Sequence, residues 1–194
     1  MRTRAAVVLA VLVVAGWLAG CGGDEATPGG VGPIKAPEGF VKLTGTGFTI
    51  AAPDTFSPQS QKSTTGEPKL TLNARPRREG DEPTLVAVIR DVQPQISVLD
   101  QMTLLEEVKR KVQARDVFRE EVRWPGARQA FVVGWTQDPA EAPAAPGPPS
   151  RNLQLAVQVT DTLIINVVAT APAETFDATE VATVVRTFRL TKGS

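Results

Sequence analysis

The only cysteine of this 194-residue chain, Cys21, closes the tetrapeptide Leu18-Ala19-Gly20-Cys21, and that spacing carries a specific chemistry. A thiol is the side chain that a diacylglyceryl donor can alkylate. The small Ala19 and Gly20 leave a peptidase room to reach the backbone beside it. The segment upstream fits the same process: Met1-Arg2-Thr3-Arg4 is a short basic start, and Ala5 to Trp17 is an apolar run of the length of a secretory leader. Leu18, Ala19, Gly20 and Cys21 therefore read as a lipobox, with cleavage between Gly20 and Cys21 and lipidation on the Cys21 sulfur. An uncleaved spanning helix would need about 20 apolar residues. The run from Ala5 to Gly20 is shorter and contains Gly16 and Gly20. Two or more acyl chains hold a protein stably on a bilayer, at roughly 0.8 kcal/mol per buried CH₂, where one is marginal. The expected location is the cell envelope, on the outer face of the cytoplasmic membrane, with the membrane contacted through the lipid on Cys21.

The remaining chemistry is sparse. The chain has no histidine, which excludes a Ser-His nucleophile. It has neither a Gly-x-Ser-x-Gly elbow nor a Ser-x-x-Lys pair. A zinc site needs Cys and His clusters, and the sequence offers none. Gly45-Thr46-Gly47 is too short for a dinucleotide fingerprint and reads as a flexible start to a strand. Glu79, Asp81 and Glu82 could hold a hard cation, or could form a solvated loop balanced by Arg75, Arg77 and Arg78. Glu120 and Glu121 are adjacent on a strand, so they face opposite sides and cannot work as a pair. The expectation is a protein that is not an enzyme, with no catalytic residue, metal or cofactor. Trp124, Trp135, Phe118 and Phe131 could line a ligand pocket or pack a core.

Behind the leader, residues 21–46 hold Gly22, Gly23, Gly29, Gly30, Gly32, Pro28, Pro33 and Pro37 with few large apolar side chains. Such a stretch cannot bury enough surface to offset its ordering entropy and reads as a flexible tether. An alternative makes Phe40-Val41-Lys42-Leu43 an edge strand. From Cys21 onward the acidic side chains outnumber the basic ones by two, a near-neutral balance with no electrostatic footprint for nucleic acid.

Residues 47–190 have the pattern of one domain. Phe48-Thr49-Ile50 alternates like a strand, broken at Pro53-Asp54. Leu70-Thr71-Leu72 and Thr84 to Val92 form a strand pair across a polar tip from Arg77 to Glu82. Ser97 to Gln113 is the clearest helix, opened by Ser97 with Asp100. Its apolar stripe is Val98, Met102, Leu105, Val108 and Val112. Glu106 with Arg110 and Glu107 with Lys111 are spaced as outward i,i+4 pairs. Val117 to Trp124 and Arg128 to Thr136 form strands joined at Pro125-Gly126. A Pro/Ala-rich loop over 139–150 precedes a strand over Leu153–Val159 and a second strand, apolar on both sides, over Leu163–Ala169. Asp177 with Glu180 opens a last helix carrying Val181, Val184, Val185 and Phe188. Central strands that are apolar on both faces need cover on both sides, and two amphipathic helices can supply it. The fold class is α+β, an antiparallel sheet sandwiched between helices.

This arrangement resembles the LpqN-type lipoproteins of actinobacteria, which share the Mog1/PsbP-like fold. The resemblance rests on the lipobox, the Gly/Pro tether, Gly47-Phe48-Thr49-Ile50-Ala51-Ala52-Pro53, the single mid-chain helix, Gly126-Ala127-Arg128 opening a strand toward Gly134-Trp135, and the terminal helix ending at Phe188. It covers Thr46 to Leu190. Phe56 stands where that family tends to have a tryptophan, and the 139–150 loop is longer than the family pattern. The resemblance implies an α/β/α sandwich, no transferable catalytic residues, and an envelope protein that works by binding. The functional expectation is a membrane-anchored interaction module with an envelope protein partner. The alternative is a carrier of a lipid or other small apolar ligand.

Overall fold

The computed structural model describes residues 31–62, 68–74, 84–139 and 148–191. The chain order is β1 (Phe40–Gly45), β2 (Phe48–Pro53), β3 (Phe56–Lys62), β4 (Pro68–Ala74), β5 (Leu85–Val92), α1 (Val98–Lys111), β6 (Arg115–Glu121), β7 (Gln129–Gln137), β8 (Ser150–Thr160), β9 (Leu163–Pro172), a 3-10 turn (Phe176–Ala178), α2 (Val181–Arg186) and β10 (Arg189–Leu190). Seven strands make one antiparallel sheet in the order β3-β4-β5-β9-β8-β7-β6, and β1-β2-β10 make a second, small one. Hairpin connections link β3 to β4, β4 to β5, β6 to β7, β7 to β8 and β8 to β9.

Alternation decides the layering, because successive strand residues point to opposite faces. In β7, Ala130 and Val132 join Leu155, Val157, Ile165 and Val167 on one face. Phe131, Val133 and Trp135 join Ala156 and Ile164 on the other. The first face is closed by α2 with Val181, Val184 and Val185, by Phe188, and by Phe48, Ile50 and Ala52 of β2. The second is closed by α1, whose Val98 and Met102 are buried against β6, β7 and β8. The expected sandwich of sheet between helices is present, and the small sheet adds to the cover on one side.

Several details differ from the sequence expectation. Phe40–Gly45, inside the segment read as tether, is β1, paired along its length with β2, in agreement with the edge-strand alternative for Phe40 to Leu43. The chain is held still earlier: the Ile34 N–H donates to the Arg186 carbonyl at 2.9 Å, Arg186 Nε donates to the Gly32 carbonyl at 2.9 Å, and Arg189 Nη2 donates to the Ile34 carbonyl. Composition alone misread this strap because its donors and acceptors are satisfied by residues some 150 positions away. On α1, Val108 and Val112 are 44% and 52% exposed rather than core-facing. The final helix begins only at Val181. Glu180 precedes it with φ of 61° and makes no side-chain cap, while Asp177 lies in the 3-10 turn. The 77–82 tip and most of the 139–150 loop lie outside the described residues.

The layers lock around Phe188. Its side chain is fully buried, with ring centroids 5.7 Å from Phe48 and 6.4 Å from Trp124. The neighbouring Thr187 hydroxyl accepts from the Ala51 N–H at 2.8 Å and lies 2.8 and 2.7 Å from the Ala51 and Val184 carbonyls. Phe188→Ala leaves a cavity under both sheets and should cost about 3–5 kcal/mol. Thermal unfolding followed by circular dichroism should show a midpoint lower by about 10 °C. A shift within a couple of degrees would mean that the ring is not the keystone of this layer.

Candidate functional site

Leu18, Ala19, Gly20 and Cys21 lie outside the described residues, as do Glu79, Asp81 and Glu82. The structure describes the chain from Val31 on, ten residues past Cys21, a span of at most about 35 Å fully extended. The described fold begins at Val31, and Gly32 and Ile34 are bonded to Arg186 and Arg189. Among the described residues no helix is long and apolar enough to cross a membrane.

The aromatic candidates divide. Trp124, Trp135 and Phe131 are buried. Trp124 belongs to the core beneath α2, at the cost of an indole N–H with no hydrogen-bond partner. Trp135 and Phe131 pack beneath α1, with Lys109 Nζ 4.7 Å from the Trp135 ring and the Arg119 guanidinium 5.7 Å from the Phe131 ring. Phe118 is 38% exposed and lies flat over Gly134, where an added Cβ would sit 2.1 Å from its ring. Glycine here permits a close approach that any other residue would block. These four side chains do not converge on one pocket.

The charged residues of α1 form a clasp rather than a catalytic pair. Glu106 accepts from Arg119 Nε on β6 at 2.9 Å and from Arg110 Nη2 at 2.9 Å, and Arg110 also donates to the Val117 carbonyl at 3.0 Å. The hydrogen bond from Arg119, then that from Arg110, holds the Glu106 carboxyl below the ordinary carboxylate range, against a smaller opposing effect of burial. Glu107 and Lys111, spaced for the same kind of pair, make no ion pair among the described residues. Glu120 and Glu121 sit opposite Val132 and Phe131 on β7, hence on opposite faces, and Glu121 accepts from Gln129 Nε2 at 3.1 Å. Among the described residues no group of three His, Cys, Asp or Glu side chains is placed to hold a metal ion.

A cleft of about 550 Å³ opens where β6 and β8 begin and β7 and β9 end, lined by Arg115, Asp116, Thr136, Pro149, Arg151, Ala173 and Glu174. Sequence reasoning missed it because its residues come from four strand ends with no common motif. The strand register is irregular between Arg115 and Phe118, and Asp116 there has φ of 54°, a left-handed geometry that aspartate tolerates better than most residues. The Thr136 hydroxyl donates to Asp116 Oδ2 at 3.2 Å. Arg115 pairs with Asp138 at 2.6 Å and Arg151 with Asp177 at 3.6 Å, the Arg151 guanidinium lying 5.1 Å from the Phe176 ring. Apart from Pro149 and Ala173, the lining is polar and of both signs. Such a cleft offers charged groups of both signs beside apolar surface from Pro149, Ala173 and the side-chain stems.

No family model and no curated protein sequence matches this chain. Solved structures do. The crystal structure of LpqN of Mycobacterium tuberculosis, described as involved in cell envelope biogenesis, superposes with a TM-score of 0.53 over 82% of this chain and 89% of that one, at 12% identity. This chain has an LpqN-like fold. The Saccharomyces cerevisiae Ran-binding protein Mog1p aligns over 76% of this chain and 85% of its own at 12% identity, with a TM-score of 0.44. At such identity the LpqN likeness is one of fold, and no site residue is carried across.

The Glu106 clasp has a defined pH signature. A carboxyl whose folded pKa is depressed contributes stability above its unfolded value, about 4.3, and loses it as pH falls through the folded value. Glu106→Gln should lower the melting temperature at pH 7, and the gap to wild type should close as pH falls below about 4. A gap of equal size at pH 7 and pH 3 would show that the ionised carboxylate contributes nothing.

Proposed function

We propose that this chain is a lipid-anchored envelope protein whose domain works by binding a protein partner rather than by catalysis. The observation that carries the reading is the short distance between the lipobox and the fold. Ten residues after Cys21 the chain is already within the described fold, so a lipid on Cys21 would keep the domain within about 35 Å of the bilayer. A module held that close meets membrane-associated partners at high effective concentration without needing tight intrinsic affinity. The likeness to LpqN, whose structure is described in terms of envelope biogenesis, is consistent with that location.

The described polar side chains favour binding over turnover, since the cleft arginines are held in ion pairs and the Asp116 carboxylate is engaged by the Thr136 hydroxyl. The carrier alternative draws little support from the aromatic residues: Trp124, Trp135 and Phe131 are packed in cores and line no common pocket.

The test joins anchor and partner. Metabolic labelling with a fatty-acid analogue should mark wild type and leave Cys21→Ser unmarked. Crosslinking in intact cells should then recover a reproducible protein partner with wild type and lose most of it with Cys21→Ser. Label on the Cys21→Ser protein would defeat the anchor, and no partner from wild type would defeat the interaction module. Lipid copurifying in native mass spectrometry of the purified protein would turn the reading to the carrier.

A further inference from the structure

Among the described residues, six of the eight exposed large hydrophobic side chains lie between Val92 and Val112. Three of them, Leu104, Val108 and Val112, succeed one another at four-residue steps, forming a single ridge on α1 with exposures of 53%, 44% and 52%. The adjacent row carries Glu107 and Lys111, one residue of each sign and neither in an ion pair among the described residues. Glu106 and Arg110, one position earlier in each case, are engaged in the clasp to β6. The apolar ridge and this unpaired couple are therefore left over from the needs of the fold.

We propose that α1 is a homodimer contact and that the occupant of its exposed ridge is a second copy of this chain, packed antiparallel about a two-fold axis at Val108. In that arrangement Leu104 meets Val112 of the second copy and Val108 meets its own equivalent. A two-fold perpendicular to the helices keeps like edges together, so Glu107 lies beside Lys111 of the second copy, and the pair forms twice. In a parallel pairing the two-fold runs along the helices and places the two Glu107–Lys111 rows on opposite edges of the contact, so neither pair forms. An isologous contact requires a patch complementary to itself, and a short apolar ridge flanked by one charge of each sign meets that requirement. The ridge lies on the flank of α1, beside the sheet-facing row of Val98 and Met102, and the contact does not depend on the anchoring of the chain.

The experiment uses the full chain in its own membranes. Val108→Cys, at the axis, should give a disulfide-linked dimer on mild oxidation, severalfold more than Thr44→Cys, a solvent-facing control on β1. In the Val108→Cys background, Glu107→Lys alone or Lys111→Glu alone should reduce the dimer severalfold, and the two together should restore it, because the exchange rebuilds the same pair. All of these side chains are exposed, and circular dichroism checks that each variant keeps the fold. No excess of dimer over Thr44→Cys overturns the proposal. So does a double exchange that stays as low as the single ones, or a crosslinked product whose mass is not twice that of the chain.

Discussion

Burial of one apolar face of the seven-stranded sheet, by a layer assembled from both ends of the chain, is the constraint on which the rest of the structure depends. Leu155, Val157, Ile165 and Val167 are central-strand residues with no exposed surface. The cover over them is β2, near the start of the fold, together with α2 and Phe188, near its end. A six-residue helix and a two-residue strand have little stability of their own. They persist because each is fastened to the other end of the chain. Thr187 is bonded to the backbone of Ala51, Arg186 and Arg189 hold the carbonyls of Gly32 and Ile34, and β10 pairs with β2. Apolar burial supplies the drive and these bonds fix the register.

That dependence explains what the sequence could and could not disclose. The central strands were legible because Phe131 to Trp135 and Leu163 to Ala169 are apolar on both faces, a pattern that needs two covering layers. The start of α1 was legible because Ser97 and Asp100 are three apart, and the Ser97 Oγ accepts from the Asp100 N–H at 3.1 Å. β1 was legible only as an alternative, the edge strand over Phe40 to Leu43, which pairs with the adjacent β2. The strap and β10 were not legible, since what orders Gly32 and Ile34 is bonding to Arg186 and Arg189, far along the chain, rather than local composition. β3 escaped for a related reason: Phe56-Ser57-Pro58-Gln59-Ser60-Gln61-Lys62 has one large apolar residue and a proline, features that suit an edge strand and that leave no periodic signal. The limits of the apolar stripe on α1 were equally hidden. Helical spacing aligns Val108 with Val98 and Met102 only loosely, and the helix covers just the β6–β8 end of the sheet.

The consequence is a fold that begins much closer to Cys21 than the Gly- and Pro-rich composition suggests. A tether reaching Thr46 would let the domain range freely. With the fold beginning by Val31, ten residues separate it from Cys21. The covering layer lies next to the strap, while α1 lies on the other face of the main sheet. The cleft at the strand ends carries charge of both signs, and its strained Asp116 is held by a hydrogen bond from Thr136.

Amide hydrogen exchange at Ile34 tests most directly whether the strap belongs to this closed layer. Its N–H is bonded to the Arg186 carbonyl across more than 150 residues of chain. The account predicts that Ile34 and Ala51 exchange slowly, through openings of the same order as those that expose Val132 in the sheet centre. Exchange at Ile34 at the rate of a free peptide, with Val132 still protected, would return residues 31–39 to the tether and contradict the account.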